Sequence, residues 1–436
     1  MWETMTEGQR HPFTGSFEEA SAELERLLKA AIRRQMVADV PLGAFLSAGI
    51  DSSTVVSLMQ EVAREDGGKP VRTFTIGMEE KGFNEAPIAK EIAAHLGTDH
   101  TEKYITKEDA LAVIPKLARM FGEPFADSSQ IPTFLVSQMT REHVTVSLSG
   151  DSGDELFCGY TSYESIKRIW DKMKRIPYSL RRPASALLLT LPQVQGNEIR
   201  RTKARLLAAK SPVDLHRLES DHEPIIGRIA LSGPREKEPP HKLTQITDRG
   251  FWRMAEDARA AQAGSDACWA VPFRETMFAD LIFYHPDDIL VKVDRCAMAN
   301  SLETRVPLLD PDVISFAWRL PTEYLTQVAQ DLLGKETRIG KRILRDILYR
   351  HVPRELMERP KKGFSVPVEQ WLKEEPLRSW AEKLLATDKI RKEGLLDADV
   401  VEQIWEDYTK RGIWRVQIWY ILMLEEWLET GGAGGL

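Results

Sequence analysis

The stretch Phe45-Leu46-Ser47-Ala48-Gly49-Ile50-Asp51-Ser52-Ser53 joins a predicted buried strand, Val40 to Phe45, to a predicted helix. Apolar residues recur at helical spacing through Ala63, and Gly67-Gly68 is expected to end that helix. Backbone N–H groups and the positive end of a helix converge on such a turn, which predicts an anion-binding site. Ser47, Ser52 and Ser53 add hydroxyl donors, and Asp51 adds a carboxylate that can hold a metal beside the anion. An ordinary strand-to-helix turn is the alternative interpretation of these residues alone.

Further strands are predicted at Val71 to Ile76, Glu102 to Ile105 and Val144 to Leu148, each separated from the next by a helical pattern. This alternation predicts an α/β fold over residues 16–160, with a parallel sheet covered by helices on both faces. Ligands of such sheets bind at the carboxyl ends of the strands, where Leu46, Ile76 and Ser149 fall.

The rest of the chain has a different pattern. Residues 1–15 are expected to form a linker, 161–430 a mostly helical region, and the glycine-rich 431–436 a flexible tail. The basic stretch Arg181 to Lys242 is interpreted as a solvated face, and Ile413 to Leu428 as a buried terminal helix.

Composition excludes several classes of protein. With 436 residues and a net charge of −7, the chain does not have the basic surface that general nucleic-acid binding needs. Its three cysteines are widely spaced without a CxxC pattern, which favours a reducing cytoplasm over a disulfide framework or zinc site. We find neither a signal segment nor an uncharged stretch of the roughly 18 residues that a membrane span needs. We therefore expect a cytoplasmic protein without nucleic-acid or membrane partners.

A second loop, Ser149-Gly150-Asp151-Ser152-Gly153-Asp154-Glu155, follows the strand that ends at Leu148. Because it lies at the same edge of the predicted sheet as Asp51, Asp51 and Asp154 together are predicted to bind one or two Mg²⁺ ions. No GxxxxGK[ST] segment occurs, so the site is not a Walker-type phosphate loop. A hydroxyl- and glycine-rich loop with its own aspartate instead suits a site that holds pyrophosphate as a leaving group.

Four stretches carry a family resemblance. Leu46 to Ser53 resembles the LSGGxDSS pattern of the ATP-pyrophosphatases, and Leu148 to Tyr160 resembles the LSGDGGDELFGGY stretch of glutamine-hydrolysing asparagine synthetases. Asp288 to Asp310 and Arg359 to Pro367 are similar to two further motifs of the same family, in the same order. Together they indicate the synthetase domain of that family.

The resemblance implies roles for individual residues. It implies that Leu46, Ile76, Ser149 and Gly150 line the adenine and ribose of ATP, and that Ser47, Gly49, Asp51, Ser52 and Ser53 hold pyrophosphate, with Asp51 and Asp154 on Mg²⁺. Lys361 matches the lysine that meets the phosphates as the adenylate forms, and Asp151 matches an acid that helps to deprotonate the incoming nitrogen. Arg305 and the loop Asp127-Ser128-Ser129 are weaker candidates for gripping the carboxylate substrate.

The chain departs from the family pattern at three places. Ala48 and Ser152 stand where glycine is usual, and Ala48 would be strained if its backbone φ were positive. The family also begins with a glutaminase domain whose nucleophile is an amino-terminal cysteine, whereas this chain begins Met1-Trp2 and has its first cysteine at Cys158. We therefore expect no glutamine hydrolysis by this chain, unless the sequence is a fragment of a longer one.

The expected function is an ATP-dependent carbon–nitrogen ligase. It would adenylate a carboxylate, by default that of aspartate, and release AMP and pyrophosphate, with nitrogen from ammonia or a separate glutaminase partner. One alternative is an asparagine-synthetase-like amidotransferase or cyclase acting on a β-lactam precursor, a peptide or a sugar acid. Another is a nucleotide-binding subunit without catalysis. Each of these three functions is compatible with a homodimer.

Overall fold

A five-stranded parallel sheet forms the centre of this computed structural model, which describes residues 2–79, 84–195, 198–220, 229, 272–330, 336–358 and 366–431. The strands, in the spatial order β3-β2-β1-β4-β5, are β1 Leu42–Phe45, β2 Arg72–Met78, β3 Asp99–Ile105, β4 Val146–Leu148 and β5 Glu303–Arg305. Phe45 is in register with Phe74, and Leu148 pairs with both Ala44 and Arg305. The carboxyl ends of β1, β4 and β5 therefore meet at one edge of the sheet. The predicted α/β fold is confirmed.

Helices cover the two faces of the sheet and lie between its strands along the chain, as the alternating pattern over residues 16–160 predicts. In the first part of the chain they are α1 Trp2–Arg10, α2 Phe17–Gln35, α3 Ile50–Glu65, α4 Ala86–Leu96, α5 Lys107–Met120, α6 Gln130–Arg141 and α7 Gly153–Leu156. Local sequence signals define two of the helix ends: Ser16 and Glu19 form a capping box at the start of α2, and Gly97 ends α4 with a φ of 70°.

The region after β4 is mostly helical. Its helices are α8 Thr161–Met173, α9 Tyr178–Thr190, α10 Pro192–Gln195, α11 Glu198–Leu206, α12 Pro212–Ser220, α13 Pro272–Ala279, a π-helix Asp280–Leu290, α14 Val291–Met298, the 3₁₀ turn Pro307–Leu309, α15 Pro311–Arg319 and α16 Thr322–Leu325. An antiparallel hairpin, β6 Gln327–Gln330 with β7 Glu336–Ile339, follows. The chain then continues through α17 Arg342–Leu348, α18 Arg354–Met357, α19 Val368–Trp371, α20 Leu377–Leu384, α21 Thr387–Glu393, α22 Ala398–Arg411 and α23 Gln417–Glu429.

Two apolar cores lie on opposite faces of the sheet. One joins α2, α3, α15 and α17 to β1, with Leu24, Val56 and Trp318 at most 1% exposed. The other joins β2, α5 and α6 to the carboxyl-terminal helices, with Phe74, Ile114 and Leu422 at most 1% exposed. The predicted terminal helix is thus a buried element, as its run of large apolar residues indicates.

Two regions differ from the sequence interpretation. Residues 2–10 lie within the expected linker but form α1, whose Met5 is fully buried and whose Gly8 lies against Trp318. The fifth strand, Glu303–Arg305, lies within the region interpreted as helical. It has only three residues, too few to show a period-2 pattern.

Other expectations fall on residues outside the description, namely the tail from 432 onward and much of the basic stretch up to Lys242. Among the helices of the described ranges, none combines the length and apolarity needed to cross a bilayer.

Candidate active site

The loop between β1 and α3 is held in shape by its own hydroxyl groups. The Oγ atoms of Ser47 and Ser52 lie 2.8 Å apart, and the Gly49 amide donates to Ser47 Oγ at 3.0 Å. Ser53 is fully buried, and its hydroxyl donates to the Ser47 carbonyl from beneath the loop. Since α3 is 16 residues long and begins at Ile50, its amino-terminal amides face the same space as these hydroxyls.

The second loop packs directly on the first. A Cβ atom added to Gly150 would collide with the backbone of Ser52, and one added to Gly153 would collide with the Asp51 carboxylate. Both glycines are therefore required by close approach rather than by an unusual φ. Within this loop Ser149 donates its hydroxyl to Asp151 Oδ2, which orients the Asp151 carboxylate. As predicted, the two acidic loops lie against each other at the ends of neighbouring strands.

Lys341 supplies a cation that joins the two loops. Its Nζ contacts Asp51 Oδ2 and lies 2.8 Å from Asp154 Oδ1, and its side chain is only 8% exposed. Burial alone would lower the pKa of Lys341, but the charges of Asp51 and Asp154 outweigh it and raise the pKa. The lysine is therefore charged and bridges both carboxylates.

The hairpin β6–β7 positions this lysine. The Lys341 amide donates to the Phe157 carbonyl at 2.8 Å, and the Lys341 backbone has a left-handed φ of 61° just before α17 begins. Gly159 allows the approach, since a Cβ there would collide with the Lys341 side chain and the Asp154 carboxylate. Sequence reasoning missed Lys341. Its one signal, Gly340-Lys341 before the apolar residues of α17, is weak because such pairs are common at helix starts.

The donor set fits a divalent cation bound with phosphates. Two carboxylates from different loops, Asp51 and Asp154, reach the same ammonium group, so both can reach one hard cation, and oxygen ligands are the ones that Mg²⁺ prefers. Behind them Glu155 is 2% exposed and accepts a hydrogen bond from Tyr160 Oη at 2.6 Å. Burial, with a smaller contribution from Asp154, raises the pKa of Glu155 to about 7.

Comparison with known proteins gives the family. A family model described as asparagine synthase matches residues 23–429 of this chain. The chain belongs to the asparagine synthase family.

Individual relatives are moderately similar. Glutamine-hydrolyzing asparagine synthetase 1 of Bacillus subtilis is 30% identical over 430 residues, which are 95% of this chain and 62% of the relative. A putative glutamine-hydrolyzing asparagine synthetase of Mycobacterium tuberculosis is 32% identical over 413 residues, 92% of this chain and 58% of the relative. A shorter match, to putative asparagine synthetase 2 of Methanocaldococcus jannaschii, is 42% identical over 163 residues. The chain thus spans less than two thirds of the first two relatives' length.

Ala48 and Ser152, which stand where the asparagine synthase pattern usually has glycine, differ in backbone conformation. Ala48 is not among the described non-glycine residues with positive φ, so it carries no left-handed strain. Ser152 does have a positive φ, 76°, where glycine would cost less. Its hydroxyl, however, is 2.7 Å from His285 Nε2 on the π-helix, a contact that glycine cannot make. Only one substitution therefore changes the backbone energetics, and it also adds a hydrogen bond.

The residues assigned to adenine and ribose lie at the same sheet edge. Leu46 and Ile76 are 2% and 5% exposed, Ser149 is 6% exposed, and the Leu46 amide donates to Phe74 at 2.9 Å. Leu46 and Ile76 belong to opposite cores of the sheet. Their role in binding the nucleotide remains a prediction.

Lys361 and Arg305 are the residues predicted from the sequence to contact the phosphates and the carboxylate substrate, respectively. Lys361 lies outside the described residues. The guanidinium of Arg305 donates to the carbonyls of Gln35 and Val37, at 2.6 and 2.8 Å, and to Glu303. Arg305 therefore closes the carboxyl end of α2, which is a structural use of its charge.

Proposed function

We propose that this chain is an ATP-dependent synthetase that adenylates a carboxylate and passes the acyl group to a nitrogen nucleophile, with aspartate as the default substrate and asparagine as the product. The observation that carries the proposal is the convergence of Asp51, Asp154 and Lys341 on the hydroxyl-rich loop at the start of α3. This arrangement suits a bound polyphosphate, because helix amides, hydroxyls and a buried lysine all offer donors to anionic oxygens.

The first step forms a bond between a carboxylate oxygen and the α-phosphorus of ATP and breaks the bond from that phosphorus to the bridging oxygen of pyrophosphate. Negative charge increases on the pyrophosphate as it leaves. Ser47, Ser52 and the amides at the start of α3 would bind it, and Lys341 would stabilise the charge that develops. Lys361 is proposed to add a second cation.

Asp51 and Asp154 would hold Mg²⁺, which when bound neutralises phosphate charge. Phosphate oxygens would then take the place of a carboxylate as partners of the Lys341 ammonium.

In the second step a neutral amine attacks the acyl carbon, AMP leaves, and the nitrogen loses a proton. Asp151 is the proposed acceptor of that proton, because it lies in the loop beside Asp154 and is oriented by Ser149. The nitrogen is proposed to come from ammonia or from a separate glutaminase.

The test is to incubate the protein with ATP, Mg²⁺, aspartate and ammonium and to identify the nucleotide and amino-acid products. Asparagine formed in equal amount with AMP supports the proposal. ADP as the nucleotide product would overturn it, because the terminal phosphoryl group would then be transferred.

The carboxylate itself is a separate question. Relatives of this fold that close rings or amidate other acids would release AMP with a different acceptor, so pyrophosphate exchange screened across carboxylates identifies the acid. Tight ATP binding without AMP release for any acid would favour the nucleotide-binding subunit instead. The unstrained Ala48 and the hydrogen-bonded Ser152 argue against that last alternative.

A further inference from the structure

Side chains of the π-helix Asp280–Leu290 contact both the acidic loop and the helical region that follows β4. Segments of this type are rare and occur often at functional sites. Three of its side chains contact different elements: Asp280 accepts from Tyr163 Oη at 2.7 Å, His285 meets Ser152 at 2.7 Å, and Asp288 faces the loop that carries Asp127. Through His285 and Ser152 the helix is fixed to the loop of the proposed proton acceptor Asp151.

Asp127 and Lys292 form an ion pair at the carboxyl end of this helix. Lys292 Nζ donates to Asp127 Oδ2 at 2.6 Å, and the Lys292 side chain is 8% exposed. Asp127 is also bonded to the amide and the hydroxyl of Ser129, each at 2.8 Å. The oxygens of Asp127 therefore have partners within the protein, and its loop is held against α14.

Asp288 is the third charged group of this cluster. Burial and then the neighbouring Asp127 carboxylate raise the pKa of Asp288 to about 7, against a smaller opposite effect of Lys292. A side-chain hydrogen bond between protonated Asp288 and Asp127 adds to this rise. When Asp288 is ionised it has no proton to donate, and its buried Oδ1 atom has no hydrogen-bond donor among the described residues. A buried acceptor without a partner costs free energy, of the order of 1–3 kcal/mol. A ligand that donates to Asp288 would remove that cost.

We infer that Asp288, supported by Asp127 and Lys292, is the subsite that binds a protonated nitrogen of a substrate. With Asp288 ionised, the three groups carry two negative charges and one positive charge, so one ligand ammonium group completes the balance. The charge of Asp151 acts on Lys292 as well, which sets the subsite within electrostatic range of the reaction centre. The inference rests on the proposed function, because it assigns the place of a reactant in that reaction.

Two substrates of the proposed reaction bear such a nitrogen: the ammonium ion itself and the α-ammonium group of an amino-acid acceptor. Both would donate hydrogen bonds to the Asp288 carboxylate. They differ in which kinetic constant depends on Asp288, and this difference allows one experiment to separate them.

The experiment compares Asp288→Asn with Asp287→Asn, a matched control on the adjacent exposed residue. Initial rates of AMP release are measured while ATP, aspartate and ammonium are varied in turn. Asp288→Asn should raise the KM for one nitrogen-bearing substrate about tenfold or more and leave the KM for ATP within about twofold, whereas Asp287→Asn should change none of them. If both nitrogen-bearing substrates keep their wild-type KM in Asp288→Asn, the inference is overturned.

Succinate, which resembles aspartate without its amino group, distinguishes the two sources. If the α-ammonium group binds at Asp288, the variant loses affinity for aspartate but not for succinate. If the ammonium ion binds there, the KM for ammonium rises with either acid. A merely structural role would lower the melting temperature and kcat without raising one KM selectively, and that result also counts against the inference.

Failure of the proposed function is recognised separately, by the absence of AMP release from the wild-type protein with every carboxylate. The subsite is then tested by calorimetric titration of wild type and Asp288→Asn with aspartate and with ammonium chloride in the presence of ATP. Binding that the variant loses supports the subsite, and absence of binding to the wild type overturns it.

Discussion

Among the described residues, the cluster of carboxylates and a lysine at the sheet edge can be compared with a second cluster at a helix junction, because their charges are balanced differently. At the sheet edge, Asp51 and Asp154 share the ammonium group of Lys341. The two carboxylates come from loops at strand ends. These loops can approach each other closely because Gly153 has no side chain to collide with Asp51.

The second cluster lies where α2, α3 and the segment after α17 meet. Ligand atoms of Glu25, Glu61 and His351 are all within 4.8 Å of one another, a spacing that would suit a metal ion. Here, however, each carboxylate has a cation of its own, since Lys29 lies 2.6 Å from Glu61 and Arg350 contacts Glu25. Ligand spacing alone therefore does not identify a metal site. The balance of charge distinguishes a ligand-binding cluster from an ion-pair network between helices.

The largest effect is expected from Lys341→Met, which leaves two carboxylates without their shared cation. We expect AMP release to fall about 10³-fold, since the proposed donor to the leaving group is lost. Stability should fall by about 3–5 kcal/mol, as when one member of a buried ion pair is removed. Assays of AMP release and thermal unfolding measure both. The matched control is Lys29→Met in the helix junction, which should keep AMP release within about twofold. Equal losses in the two variants would mean that the clusters do not differ in function.

The next effect concerns pH. Since Asp288 must be ionised to hold a cation and its pKa is about 7, affinity for the nitrogen-bearing substrate should rise about tenfold from about pH 6 to about pH 8. Asp127 and Lys292 stay charged in this range, because the pKa of Asp127 is lowered and that of Lys292 is raised. Burial lowers the pKa of His285 from its ordinary value of 6.5, so its neutral form predominates above that pH.

Glu155 also has a pKa of about 7, so its titration has to be separated from that of Asp288. The KM for the nitrogen-bearing substrate is therefore measured against pH in wild type and in Asp288→Asn, which retains Glu155. If the KM no longer depends on pH in Asp288→Asn, the pH dependence is due to Asp288. If the variant keeps the pH dependence of the wild type, another group is responsible.

Ser152 allows a smaller test of how the loop is held. Ser152→Ala keeps the left-handed φ but loses the bond to His285, so it should destabilise the protein by about 1–2 kcal/mol. Ser152→Gly loses the same bond but gains the freedom of glycine, worth about 1 kcal/mol, and should be close to wild type. Chemical denaturation of the two variants gives the difference. If alanine were as stable as glycine, the positive φ would not be strained.

The smallest effect is expected at the helix junction. The pKa of Glu25 is lowered to about 2 by His351, Arg350 and Lys29, so Glu25 contributes stability above its usual pKa and loses it as the pH falls towards 2. Because the group is partly solvated, Glu25→Gln should cost only about 1 kcal/mol near neutral pH. AMP release should stay unchanged. Unfolding measured at decreasing pH checks whether the stabilisation by Glu25 is lost in acid. A loss of AMP release in Glu25→Gln would contradict the prediction, because it would show that the helix junction affects the active site.

The two loops could be predicted from the sequence because each follows a short apolar strand and precedes a helix. Parallel strands then require Asp51 and Asp154 to meet at one edge. Lys341 could not be predicted, since no local pattern relates a lysine after a hairpin to Asp154 and Asp51, which lie 187 and 290 residues earlier in the chain. The contact depends on a left-handed backbone at Lys341 and on the space above Gly159, which only the folded chain defines.

The position of β5 has a consequence for how this architecture can diversify. Both ends of residues 149–302 are fixed to the same parallel ladder, at Leu148 and Glu303. Lengthening a closed segment adds little entropic cost, about 0.6 kcal/mol for each doubling. The part of this segment after the acidic loop and before the π-helix can therefore be enlarged or shortened while the register of β4 and β5 stays the same. We expect that changes in this part of the chain can alter the acceptor while the proposed ATP site stays the same.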